Sequence, residues 1–445
     1  MDRDIEKDLL QWKTSPLRAP LLLRGARQVG KSFIVEKFGR AQFEHCITLN
    51  FEQTPRASVC FNTLLPDKMI AAIELFAGIA IRPGRTLLFL DEIQECPSAI
   101  IALRYFKEQM PDLHIIGAGS LLEFTLNEEE FSFPVGRIQF LYLRPMSFGE
   151  FLTALGRTDL RNYLKTVTLE NPPVPVAHEE LLTLTREYMA LGGMPAVISA
   201  YLQTKSLYQA QDVQSDILTA YRRDFGKYAK KTKHKSLQLL FEKAPGLIGH
   251  WFKYTNVDPE APSRDVKEAV KLLCLAGLLY PVFHTAAGAL PLAAMQNEKK
   301  FKVLFLDVGL VKRACGLDTA LLFTEDLLLI NQGVLTEQFV GGELLALLER
   351  KEAGTLFFWN REEKRSSAEV DFIVPVDGKI IPIEVKSGGT GRLKSLKALM
   401  AEKNFRLGVR ISSAPLELRD QILSIPFYLI AELPRLLLSL KSVEM

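Results

Sequence analysis

The sequence predicts an α/β protein: a parallel-sheet domain in front, a helical middle, and a second α/β domain at the end. Three observations predict it. Short apolar runs alternate with helical stretches through the first third of the chain. The first run flows through a glycine-marked loop, LLLRGARQVGKSF, directly into a helix. Near the end, AEVDFIVPV and KIIPIEV flank Asp377-Gly378, a favoured two-residue hairpin turn. At 445 residues the chain is too long for one compact domain. The expected domains are 1–160, 181–330 and 331–445, with the proline-rich TVTLENPPVPVAHEE (166–180) as a connector.

In order, PLLLR, CITLNF, TLLFLDE and LHIIGAGS read as strands, and KSFIVEKFG and ALRYFKEQM as helices, the first of them stopped by Gly39. The middle reads as mainly helical with one hairpin. From about 331, GVLTEQFVGGELLALLERKE is a helix leading into TLFFWN and the hairpin strands. Net charge is +3, so attraction to nucleic acid has to come from local patches. Five scattered cysteines without a CxxC pair read as reduced thiols, not a disulfide framework or zinc site. The charged start, MDRDIEKDLLQWKTS, lacks a signal peptide's apolar core, and a cytoplasmic protein is expected. Residues 272–297 lack Asp, Glu, Lys and Arg, yet Pro281, Pro291 and HTAAGALP favour a helix end and hairpin over a membrane span.

Gly25, Gly30, Lys31 and Ser32 stand in the spacing G-x-x-x-x-G-K-S. Such a loop turns backbone N–H groups around phosphates and points a helix N-terminus at them. Lys31 would reach the β and γ phosphates and Ser32 would ligate Mg2+. Ala26, Arg27, Gln28 and Val29 lie within the loop, and Arg27 and Gln28 shape it. TLLFLDEIQ is a buried strand ending in Asp91, expected to hold the magnesium through its shell, and Glu92, expected to polarise the attacking water. Ser120 ends HIIGAGS, where it senses the γ-phosphate or caps a helix at LLEF. Arg137 in FPVGRIQF is a candidate arginine finger, on its own subunit or a neighbour's, or a surface residue.

GARQVGKS, LFLDEIQECP, IIGAGSLLEF, GRIQFLYLRPMSFGEFL and LGGMPAVI together resemble a bacterial and archaeal family of AAA-type ATPases with a C-terminal companion domain of unknown function. The resemblance covers nearly the whole chain. It implies a P-loop NTPase core of the additional-strand (AAA/ASCE) type, with Gly25 to Ser32 as Walker A, Asp91 and Glu92 as Walker B, and Ser120 near the sensor position. It does not supply a biological role.

PSRDVKEAVKLLCLAGLLYPVF opens on a Pro-Ser start signal and closes at Gly277. Val266, Val270 and Leu273 form an apolar stripe, and Arg264, Lys267 and Lys271 line another face. With the helical GLIGHWFKY before it and a hairpin after, the segment is similar to a winged helix, its basic face set against DNA or merely solvated. In YRRDFGKYAKKTKHK, Tyr221, Phe225 and Tyr228 interleave with cations, which suits nucleic-acid stacking or a linker helix with inward aromatics.

Residues two apart on a strand share a face, so Glu384 and Lys386 of IIPIEVKSGG point the same way, and the hairpin could set Asp371 across from Glu384. Asp371 and Glu384 are candidate metal ligands, and Lys386 would steady the attacking water or the phosphate. The arrangement resembles the PD-(D/E)xK nucleases, whose leading proline is absent here, and implies a restriction-endonuclease-like domain with Glu337 of the preceding helix completing the metal site. A surface ion pair, or a nuclease fold with its chemistry unused, are the alternatives. The expected protein is an Mg2+-dependent ATPase coupled to DNA binding and DNA cleavage, or an ATP-switched protein whose last domain docks a protein partner. A homo-oligomer is allowed, and required if Arg137 acts in trans.

Overall fold

The computed structural model describes residues 1–120, 122, 136–228, 234–317, 332–361, 368–388 and 392–440. They form two compact units: Met1–Arg144 with Leu275–Gly277 and Glu349–Ala353, and the rest from Pro145 onward.

The first unit is built on β1 (Leu21–Arg24), β2 (His45–Asn50), β3 (Thr86–Asp91), β4 (His114–Ala118) and β5 (Gln139–Tyr142). All neighbours are parallel, in the order β2-β3-β4-β1-β5. β4 therefore stands between β1 and β3, the additional strand that the resemblance implies. Every residue of β3 and β4 is buried, as expected of continuous apolar runs covered on both faces. The helix Lys31–Gln42 does not stop at Gly39 but runs three residues beyond it. Gly39 is there for proximity: a Cβ would lie 2.5 Å from Cys46 Sγ on β2. Strand β5 and the helix Ile5–Thr14 lie outside the elements expected from sequence.

The second unit opens on a capping box, in which Ser147 Oγ accepts from Glu150 N (3.3 Å) and Glu150 Oε2 accepts from Ser147 N (3.0 Å). The connector is shorter than expected, because Pro175 starts the helix Pro175–Leu191 and a proline's fixed φ suits a first helical turn. In LGGMPAVI, Gly193 N donates to buried Asp307 Oδ2 (2.6 Å) and Gly193 O accepts from Met146 N (2.7 Å). Burial pushes the Asp307 carboxyl up to about 6, against the amides of Gly193, Leu310 and Gly309.

An eight-stranded mixed sheet follows: β6 (Leu279–Thr285), β7 (Gln296–Phe305), β8 (Leu356–Asn360), β9 (Glu369–Val376), β10 (Lys379–Val385), β11 (Gly408–Ser412), β12 (Glu417–Arg419) and β13 (Ile422–Pro426). Its order is β12-β13-β11-β10-β9-β8-β6-β7. The hairpin turns at Asp377 (φ 47°) and Gly378 (φ 72°), with Val376 paired to Lys379 as the Asp-Gly signal demands. The helix Ser263–Leu275 buries Val266 and Leu273, exposes Arg264, Lys267 and Lys271, and is followed by Gly277 at φ 71°. The winged-helix expectation meets a correction at its hairpin. β6 pairs with β8 in parallel, so β6 and β7 extend the large sheet instead of standing free as a wing. Tyr221 and Phe225 are buried against Phe241, so these two rings stack on the core and not on nucleic acid. Residues 229–233 of the basic cluster, with the side chains of Lys227 and Tyr228, and the LLEF segment apart from Leu122, lie outside the described residues. Among the described residues no helix is long and apolar enough to cross a membrane.

Candidate functional site

The glycine-marked loop leaves the C-terminal end of β1. Gly25 (φ 144°) is required there, since a Cβ would fall 2.1 Å from Leu143 O, and Gly30 (φ 94°) turns the chain into the helix Lys31–Gln42. Ala26 and Val29 anchor the loop in the core, while Gln28 is exposed at φ 65°. Lys31 is buried, and its Nζ donates to Gly25 O (2.9 Å) and Ala26 O (2.8 Å). Burial brings its ammonium down to about 8, with Arg27 adding to the effect and Glu92 and Asp91 opposing it.

Parallel register brings the acidic strand end to this loop. Ser32 Oγ donates to Asp91 Oδ1 at 2.9 Å, and Asn50 Nδ2 donates to Asp91 Oδ2 at 2.8 Å. Asn50, the register partner of Asp91, was not anticipated; its signal was a polar residue closing CITLN. Glu92 takes the left-handed conformation (φ 49°), and its Oε2 accepts from Gln94 Nε2 (2.7 Å), Ser120 N (3.4 Å) and Ser120 Oγ (3.4 Å). Ser120 lies two residues beyond β4, between the strands carrying the two motifs. Lys31, Ser32, Asp91, Glu92 and Ser120 are thus brought together. A hydroxyl and a carboxylate 2.9 Å apart are hard oxygen donors suited to a magnesium ion.

Arg137 is not part of this assembly. It precedes β5, whose Gln139 pairs with Leu21, the first residue of β1, whereas the loop leaves after Arg24. That puts Arg137 at the far end of the sheet, about 10 Å or more of strand away. Its Nε pairs with Glu108 Oε1 at 3.1 Å. In this structure Arg137 therefore lies away from the phosphate loop of its own subunit.

In the second unit, the register that pairs Phe372 with Ile383 sets Asp371 opposite Glu384 at the strand ends. Glu384 is buried, its Oε1 accepts from Lys386 Nζ at 2.7 Å, and its Oε2 is a buried oxygen without a hydrogen-bond partner. Asp371 Oδ2 accepts from Val385 N at 2.8 Å. Sequence reasoning missed the centre of the cluster. Lys302 of β7, 1% exposed, holds Glu369 Oε1 at 2.6 Å and Glu337 Oε1 at 3.0 Å, with Asp371 Oδ1 at 3.9 Å. Burial alone would lower the Lys302 ammonium, but the charges of Glu337, Asp371 and Glu369 hold it above the usual lysine range. Burial pushes Glu337 up to about 7 against the pull of Lys302, and Glu384 up to about 7 with help from Asp371.

Sequence reasoning expected Asp371, Glu384 and Glu337 to hold a metal and did not place an ammonium beside them. A tethered ammonium stands among Glu337, Glu369 and Asp371, so the countercharge a dication would bring is already supplied by the chain. Among the described residues, no group of three or more His, Cys, Asp or Glu is disposed to hold a metal ion.

Residues 17–152 match a family described as an AAA domain, residues 182–321 a domain of unknown function (DUF8612), and residues 332–428 a domain of unknown function (DUF4143). No curated protein matches. Solved structures similar to this chain include the Aeropyrum pernix ORC1 protein in complex with DNA, at 12% identity and TM-score 0.27, covering 71% of this chain and 90% of that one. The Thermotoga maritima RuvB Holliday junction branch migration motor is similar at 17% identity and TM-score 0.29, covering 63% and 89%. Protein VC1899 from Vibrio cholerae is similar at 11% identity and TM-score 0.19, covering 95% and 97%. Strand order, loop geometry and the AAA match agree on a P-loop ATPase domain in the first unit.

Proposed function

We propose that the first unit binds ATP with magnesium and hydrolyses its terminal phosphate, and that the second unit carries the partner that hydrolysis acts upon. The hydrogen bond between Ser32 Oγ and Asp91 Oδ1 carries the proposal, because it joins the two motifs at the position where magnesium would sit. Lys31 supplies charge to the β and γ phosphates, and the amides from Gly25 to Ser32 supply hydrogen bonds. Ser32 and Asp91 would hold the magnesium, which neutralises phosphate charge when bound. Glu92, steadied by Gln94 and Ser120, orients the attacking water, and Ser120 links that carboxylate to the γ-phosphate position. Arg137 contributes only from a neighbouring subunit.

DNA is the partner this proposal favours. Its support is the helix Ser263–Leu275, which exposes Arg264, Lys267 and Lys271 on one face. DNA cleavage is left out, because Lys302 stands where the ligand set for a divalent ion was expected. The C-terminal domain then serves as a nuclease-like scaffold that binds without cutting. A protein partner is the second reading.

Lys31→Ala is expected to abolish ATP binding measured with a fluorescent ATP analogue. Glu92→Gln is expected to keep ATP binding while lowering turnover by about 100-fold or more. Undiminished ATP affinity in Lys31→Ala would refute the nucleotide assignment.

A further inference from the structure

Next to the acidic cluster the second unit has a cavity of about 440 Å3 that the roles above leave unused. Its floor is Arg410 of β11 and Ser424 of β13, partners in parallel register. Its rim is Arg392, Lys394 and Lys397, at and just before the first turn of the helix Lys394–Lys403, and Arg419 of β12. Five cations thus face one concavity, against the carboxylates of Glu417 and Asp420.

None of these five cations has a carboxylate partner among the described residues, whereas Arg361, Lys386, Lys403 and Arg435 of the same unit each hold one. The nearest acid by register, Glu384 beside Arg410, gives its Oε1 to Lys386, and its Oε2 makes no hydrogen bond to Arg410. Arg410 Nε is buried with no hydrogen-bond partner. A buried guanidinium N–H left unpaired is costly, and no described residue accepts from it, which leaves it open to an acceptor brought by a ligand.

We propose that this cavity is a phosphate site and that the phosphate belongs to a DNA backbone. Arg410 and Ser424 would take the phosphate oxygens on the floor, Lys394 and Lys397 would add charge where the helix N-terminus already favours an anion, and Arg392 and Arg419 would reach flanking phosphates. Phosphate is favoured over a lone carboxylate because a carboxylate neutralises one of five cations, while a backbone supplies one charge at every nucleotide. The site rests on DNA being the partner of the second unit; it does not depend on the ATPase assignment.

The test uses the full chain and a fluorescein-labelled DNA duplex, titrated at several salt concentrations without nucleotide. The variants are Arg410→Gln and the exposed pair Lys394→Ala with Lys397→Ala, both checked for wild-type unfolding temperature and ATP binding. The pair is expected to weaken binding about 10-fold or more and to reduce the slope of log affinity against log salt by about 2, with a smaller reduction for Arg410→Gln. Inorganic phosphate and ATP are titrated in parallel. If wild type binds these at millimolar concentration through the same residues yet has no affinity for DNA, the backbone assignment is overturned. Equal DNA affinity and equal salt slope in wild type and the folded pair variant overturn the site itself. Loss of ATP binding in Lys31→Ala with DNA binding intact leaves the cavity proposal standing, so the two assignments fail separately.

Discussion

Lys31 offers the sharpest test of the nucleotide seat, because its environment predicts a pH dependence. In the free protein its ammonium is lowered to about 8, by burial first. Beside a triphosphate the added negative charge raises it again, so ATP binding must take up a proton wherever the free lysine is deprotonated. With a free value of about 8, roughly three-quarters of the molecules carry the proton at about pH 7.5 and roughly a tenth at about pH 9. Affinity for ATP should therefore fall about eightfold between those values, about 1.2 kcal/mol, with proton uptake approaching about 0.9 per ATP at the upper end. Isothermal calorimetry in buffers of different ionisation enthalpy reads the uptake directly. Lys31→Arg is the control: a guanidinium stays charged across the range, so its affinity should be weaker but flat with pH. Wild-type affinity that is flat from about pH 7.5 to 9, or falls equally in Lys31→Arg, would refute the buried-lysine argument.

Lys302→Met removes the cation among Glu337, Glu369 and Asp371 and should destabilise the second unit by about 3–5 kcal/mol near pH 8, measured by urea unfolding. Glu337 and Glu384 are already held up to about 7 in the fold, above an unfolded value of 4.5, so the folded state binds protons more tightly and stability is lost as pH rises through that window. The Lys302→Met deficit should accordingly shrink towards pH 5, and an equal deficit at both pH values would count against the charge cluster. Gly39→Ala brings a methyl to 2.5 Å from Cys46 Sγ and should cost about 1–3 kcal/mol in unfolding free energy, although alanine is the better helix former; no loss would mean that Gly39 is not there for packing.

What was legible in the sequence was local in the chain. Gly25 to Ser32 fix their own backbone, and Asp91 and Glu92 end a run too apolar to be anything but a central strand. Their meeting followed once parallel strands were assumed. Asp371 opposite Glu384 was legible because a two-residue Asp-Gly turn sets register by counting. Lys302 was not, since its position depends on β6 joining β8 in parallel from about 70 residues away, a pairing no local pattern encodes. The place of Arg137 was not legible for a related reason. Its motif context suggested the nucleotide, but strand β5 went unrecognised, and only the pairing of Gln139 with Leu21 tells which end of the sheet Arg137 occupies. Tyr221 and Phe225 interleave with cations in sequence yet lie on the buried side of their helix, because a helix sorts residues by angle and not by adjacency.

Three cations of this chain, the buried Lys31 and Lys302 and the half-buried Arg410, differ in one respect, whether the compensating charge lies within the described chain. Lys302 is surrounded by carboxylates and is held charged by them, so its countercharge lies within the chain. Lys31 is buried, its hydrogen-bond partners among the described residues are two backbone carbonyls, and burial loosens its proton. A group in that state gains most from an incoming anion, and the loop around it offers further donors to the same anion. Arg410 belongs on the side of Lys31, because its buried Nε has no hydrogen-bond partner among the described residues and is open to an acceptor from a ligand. The contrast explains why Lys302, the most deeply buried of the three, is the one whose chemistry is already satisfied within the fold.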